Sequence, residues 1–123
     1  MVEVKVKEGE ELNGLGRMLK DTIDKNLQDL RKYESVKKVK GSVVIREASS
    51  GVAVTLHFRQ GEIEIQNDAI DKPNAYQEAG FENMAYISSG QISPTMALLT
   101  GKVKARGNLL LLMKISKIMV LEG

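Results

Sequence analysis

At 123 residues, with no cysteine and a net charge of only +2 from 18 basic and 16 acidic side chains, the chain is the size of one compact core and holds neither disulfides nor thiolate metal sites. Interspersed charge, two Phe, three Tyr and no Trp provide neither the basic face nor the stacking platforms of a nucleic-acid binder, so no nucleic-acid partner is expected. No apolar run approaches the ~20 residues needed to span a bilayer. Residues 1–123 are therefore read as one domain, with 1–10 either an edge strand or a mobile tail.

The amino terminus, Met1 to Glu8, alternates valine with charge and lacks the apolar centre of a secretion signal. Leu12, Leu15, Leu19, Ile23, Leu27 and Leu30 then recur at spacings of three and four, which predicts an amphipathic helix over 12–30 lying on a sheet. Its outer face mixes acids with bases, as an ordinary solvated surface does, rather than showing the basic excess of a membrane-surface helix. Lys37-Lys38-Val39-Lys40 reads as a solvated connection. Three strands follow at 42–48, 52–59 and 62–66, separated by Ser49-Ser50-Gly51 and Gln60-Gly61, which predicts an antiparallel meander with Val52, Val54, Leu56, Phe58, Ile63 and Ile65 on its buried face.

Asn67 to Asn74 is polar, contains Pro73 and reads as a loop. Ala75 to Ala79 is a weak strand by propensity and open to a helical turn. Phe81 to Ser89 suits a short helix, and a second runs from Ser93 to Thr100 with Ser93 as its cap and Pro94 in its first turn. Gly101 closes that helix. Lys102, Lys104 and Arg106 then alternate with Val103 and Ala105, the period of a strand with one wet and one buried face. After Gly107 the chain enters its most apolar run, a final helix from Leu109 to about Met119. The sum is an α+β domain with helices on one face of a largely antiparallel, five-stranded sheet.

Catalytic machinery is sparse. His57 is the lone histidine and falls opposite the buried face of its strand. Asp68 and Asp71 share one loop without a third ligand or a nucleophile, and Ser49-Ser50 and Ser88-Ser89 have no histidine partner at a recognisable spacing. Gly14-Leu15-Gly16 lacks the preceding strand and third glycine of a dinucleotide fingerprint. Either the first helix starts after Gly16, or the backbone makes a close approach there. No enzyme, cofactor or metal is expected. What remains is apolar: Met96, Leu98 and Leu99 precede the basic strand, and residues 109–121 are apolar almost all round, so the final helix needs more than one apolar partner. The second partner is either another subunit or a neighbouring helix, or else an acyl chain or ring system held in a cavity.

The order of a glycine, a short helix, Gly101-Lys102-Val103-Lys104-Ala105-Arg106-Gly107-Asn108 and an apolar helix resembles the carboxy-terminal half of sterol carrier protein domains, in which a Gly-Lys-hydrophobic-Lys-x-x-Gly-Asp/Asn segment leads into a helix that helps close a lipid cavity. The likeness extends less sharply over residues 12–118. It implies non-catalytic binding, and intracellular transfer, of a lipid, fatty acyl or sterol-like ligand between sheet and final helix. The cavity candidates are Leu56, Phe58, Ile65, Met84, Ile87, Ile92, Met96, Leu99, Val103, Leu110 and Met113. Transient membrane contact belongs to the same reading; the alternative is a structural or regulatory protein that uses the final apolar helix to form a homodimer or to bind a partner protein. Animal members often end in a peroxisomal signal, which Leu121-Glu122-Gly123 does not match, so the expected place of action is cytoplasmic.

Overall fold

The computed structural model describes residues 2–120. In chain order its elements are β1 (Lys5–Val6), α1 (Gly14–Leu27), α2 (Leu30–Val36), β2 (Lys40–Glu47), β3 (Ala53–Arg59), β4 (Glu62–Asn67), β5 (Ala75–Ala79), α3 (Phe81–Ser88), α4 (Pro94–Leu99), β6 (Lys104–Gly107) and α5 (Leu109–Ile115), followed by a 3₁₀ turn at Ser116–Ile118. The α+β class and the meander agree with the sequence reading. The strand count and the pairing need correction. The sheet has six strands in the order β1-β4-β3-β2-β5-β6, and it is mixed: β1 runs parallel to β4, and β5 parallel to β2.

Both corrections have physical causes. The valine-rich amino terminus becomes an edge strand because the Lys7 amide donates to the Ile65 carbonyl at 2.9 Å and the Val4 amide to Asp24 Oδ1 at 2.7 Å. The parallel β2–β5 pair follows from the polar loop 68–74, which carries the chain over one sheet face. Thr55 tacks that loop down: its hydroxyl donates to the Asp68 carbonyl at 2.8 Å and accepts from the Ile70 amide at 3.2 Å. Thr55 is thereby buried with both of its hydrogen-bonding capacities used.

Helices cover the opposite face. Pairing aligns Val43, Leu56 and Ile65 across the meander, and Ile45 with Val54, and α1 lays Leu15, Leu19, Ile23 and Leu27 on them. The first helix is shorter than 12–30. Asn13 caps it, its Oδ1 accepting from the Gly16 amide at 2.8 Å. It stops at Leu27 because Asp29 caps a new helix instead, accepting from the Arg31 amide at 2.9 Å, which leaves Leu30 exposed. Gly16 is a close approach: a Cβ there would meet Leu12 at 3.1 Å and Val54 at 3.3 Å. Val52 is also corrected, lying in the turn before β3 and exposed rather than on the buried face.

Candidate functional site: an apolar cavity at the β5–β6 edge

The site is built by two turns. Gly101, at φ +75°, lets the chain fold back under α4 so that the Lys102 and Val103 amides both donate to the buried Ala97 carbonyl, at 2.9 and 3.2 Å. Ser93 starts α4, its Oγ accepting from the Met96 amide at 3.1 Å. At the far end of β6, Gly107 adopts φ +83° and presses so closely on β5 that a Cβ would lie 2.5 Å from the Asn74 carbonyl oxygen. The Asn108 amide donates to that oxygen at 2.8 Å, and its side chain caps α5 by accepting from the Leu111 amide at 3.0 Å. The Gly107-Asn108 pair thus aims α5 back across the sheet.

Between these elements lies a cavity of about 240 Å³. Gln77 on β5, Ala105 on β6 and Val103 just before β6 form its floor; Ile87, Pro94, Thr95 and Leu98 form one wall; Leu109, Leu112, Met113, Ile115, Ser116 and Met119 form the other. Among the described residues no charged side chain lines it. Exposed Leu98, Leu109 and Met113 make an open rim. Gln77 and Ala105 sit opposite each other in the β5–β6 pair, with Ile45 on the other side of Gln77.

Of the cavity candidates named from sequence, Ile87, Val103 and Met113 line this space. Leu56, Phe58 and Ile65 do not; they are buried in the core where α1 meets β3 and β4. Met84 is in the same core, and Ile92 packs half-buried against it. Met96, Leu99 and Leu110 face outward instead, Leu99 with 74% and Leu110 with 60% of its surface exposed. For Leu110 the reason lies in α5, whose four consecutive leucines point all round a seven-residue helix. Leu111 turns inward to Gly41, Leu112 faces the cavity, and Leu109 and Leu110 reach solvent. The final helix ends at Ile115 and continues only as a 3₁₀ turn; Leu121 lies outside the described residues. Ala105 was recoverable from its alternation with Val103. Gln77, Thr95 and Ser116 needed the β5–β6 register and the packing of α4, which no spacing reveals.

The remaining candidates are apart from the cavity. His57 is on the other sheet face, its Nε2 2.8 Å from Gln66 Oε1, beside a shallow polar depression that includes Lys40, Ser42 and Asn74. Asp68 and Asp71 lie in or beside the crossover. Arg106 stacks 4.4 Å from the Tyr76 ring centroid on that same face. Ser49 and Ser50 serve Glu47. The Ser49 hydroxyl (2.6 Å), the Ser49 and Ser50 amides (3.1 and 2.8 Å) and the Phe81 amide (3.0 Å) all donate to its carboxylate, and the two serines hold its pKa down at about 2. Among the described residues no group of three His, Asp or Glu could hold a metal ion, and no helix is long and apolar enough to cross a membrane.

Residues 20–120 match the model of the SCP-2 sterol transfer family. The chain belongs to that family. Among solved structures it is similar to the sterol carrier protein domain 2 of Helicoverpa armigera (20% identity, TM-score 0.64, 94% of this chain and 99% of that one). It is likewise similar to sterol carrier protein 2 from Yarrowia lipolytica in its apo form (19% identity, TM-score 0.64, 89% and 95%). The fold also occurs inside an enzyme: a stereoselective inverting sec-alkylsulfatase from Pseudomonas sp. matches 77% of this chain at 14% identity and TM-score 0.62, while the chain spans only 15% of that enzyme. Comparison with curated proteins gives no match.

Proposed function

We propose that this SCP-2 family chain binds an apolar chain or ring system in the β5–β6 cavity, without covalent chemistry, and carries it between membranes in the cytoplasm. The observation that carries the reading is a cavity lined mainly by leucine, isoleucine, valine and methionine, with no charged group among the described lining residues, open at one rim. Burial of apolar ligand surface contributes about 25 cal/mol per Å², so the cavity holds such a ligand without a covalent link. At about 240 Å³ it is below the ~300–1,000 Å³ usual for ligand pockets, and a long chain leaves part of itself at the mouth. Family membership supports a lipid ligand.

Contact with a membrane is part of the same proposal. Met96, Leu98 and Leu99 on α4 and Leu109, Leu110 and Met113 on α5 are exposed near the cavity. From Ile92 to Val120 the sequence has no acid and five cations, Lys102, Lys104, Arg106, Lys114 and Lys117. Exposed apolar side chains within an acid-free basic stretch suit an anionic bilayer surface. The second reading rests on the same exposed leucines: a patch of that kind also serves a protein partner or a second copy of the chain.

Native mass spectrometry of the purified protein, followed by organic extraction, tests the carrier reading. The expected result is a reproducible bound mass that extracts as one lipid class. A ligand-free dimer that fails to take up added lipid would assign the apolar helices to an interface.

A further inference from the structure

On the helix-covered side of this sheet nearly every inward position is apolar, and the polar exceptions are informative. Glu47 lies on that side at the end of β2 and is held by the Ser49 hydroxyl and three backbone amides. Asn67, at the end of β4, accepts from the Asn13 amide at 2.9 Å and donates to the Glu11 carbonyl at 2.8 Å. Each has its hydrogen bonds supplied by the chain. Gln77 is the contrast. It stands between Ile45 and Ala105 in the sheet, half-buried on the cavity floor, and among the described residues nothing holds its side-chain amide. No buried side-chain polar atom among the described residues lacks a partner, so the Gln77 amide keeps some access to water, but a polar group facing an apolar space gives up part of its solvation unless something in that space bonds it.

We propose that Gln77 is a ligand anchor, and that the cavity takes an uncharged apolar molecule carrying a hydroxyl or carbonyl group within hydrogen-bond reach of the Gln77 amide. This inference rests on the carrier reading and narrows it. A primary amide offers two donors and an acceptor, so a hydroxyl satisfies it both ways and a carbonyl takes its donor. An ionised carboxylate or phosphate is a poor match inside, because none of the described lining residues carries a compensating charge. Such a head group stays at the rim. Thr95, on α4, brings a second polar group, a hydroxyl, to the same cavity; Ser116, the third polar lining residue, already donates to the Met113 carbonyl at 2.8 Å.

The test uses three bicyclic probes of nearly equal shape on the full chain at pH 7: naphthalene, 2-naphthol and 2-naphthoate. Affinities are measured by fluorescence titration for the natural chain and for Gln77→Leu, which keeps the volume and removes the hydrogen bonds. The replacement is expected to weaken 2-naphthol by roughly three- to ten-fold, the equivalent of one net hydrogen bond, and to leave naphthalene unchanged or tighter. In the natural chain 2-naphthoate binds more weakly than 2-naphthol. The Gln77 side-chain ¹⁵N–¹H resonances should shift on adding 2-naphthol and stay in place with naphthalene. Parallel changes for naphthalene and 2-naphthol in Gln77→Leu would reduce Gln77 to wall packing and overturn the inference while the carrier reading stands. Absence of naphthalene binding to the natural chain would sink both.

Discussion

The sheet has two unlike halves. In the meander β2–β3–β4, Val43, Val54, Leu56 and Ile65 are sealed beneath the fourteen-residue α1, and the polar groups at its margins, Asn13, Glu47, Thr55 and Asn67, are hydrogen-bonded. At the β5–β6 edge the cover is made of helices of six to eight residues, most of the large exposed apolar side chains cluster there, and the cavity floor holds an amide with no partner among the described residues. One half has the tight interior that fixes a fold. The other has the unfilled apolar surface that a ligand or a bilayer can complete.

The largest effect should come from the sealed half. Leu56→Ala is expected to cost about 2–5 kcal/mol, because the site is fully enclosed and cannot collapse around the deletion. Leu110→Ala on α5 should stay within about 0.5 kcal/mol. Urea unfolding of the two variants checks the contrast; equal losses would erase it.

Gly107 joins the halves. Gly107→Ala places a Cβ against the Asn74 carbonyl and strains a positive φ, a cost of about 1–3 kcal/mol from the backbone conformation alone. The damage should be local: faster amide exchange across β6 and α5, with protection retained in β2–β4, and loss of lipid uptake. Uniform loss of protection would show that the β5–β6 edge is no weaker a unit than the meander.

The same contrast governs what could be read from sequence. The meander was legible because short turns fix its register and each strand alternates, which placed Val54, Leu56, Phe58, Ile63 and Ile65 inside. Residues 101–108 were legible through their likeness to a family motif. The cavity wall was mostly not. The break at Asp29 came from a capping bond that outweighs a continuous leucine stripe, and the parallel β5 came from a crossover held by Thr55. Gln77 acquires meaning only from the pairing that sets it beside Ala105. Periodicity says which residues leave water; it does not say which apolar residues fail to find a partner, as Leu99 and Leu110 do.

Glu47 gives a smaller, pH-dependent handle on the seam between β2 and α3. Its folded pKa, about 2, lies below the ordinary carboxylate value of 4.5, so its contribution is present above pH 4.5 and is lost as pH falls toward 2. Glu47→Gln should flatten that part of the stability–pH curve, measured by thermal unfolding between pH 2 and 6. An unchanged acid limb would mean that the turn Ser49–Gly51 and the start of α3 do not depend on this carboxylate.

The smallest effect on stability, and the sharpest on function, is expected at the exposed edge of the weaker half. Leu99→Ser and Leu110→Ser remove apolar side chains that already sit in water, so the double variant should unfold within about 1 kcal/mol of the natural chain. Co-sedimentation with vesicles containing anionic lipid should nevertheless fall several-fold, and binding of the natural chain should weaken with added salt, because Lys114 and Lys117 share the segment. Leu30→Ser, an equally exposed leucine on α2, should leave sedimentation unchanged. If all three replacements weaken vesicle binding alike, the contact is nonspecific. If instead the natural chain sediments as a dimer and the double variant as a monomer, the exposed leucines meet a second copy, and the cavity mouth opens into an interface rather than onto a bilayer.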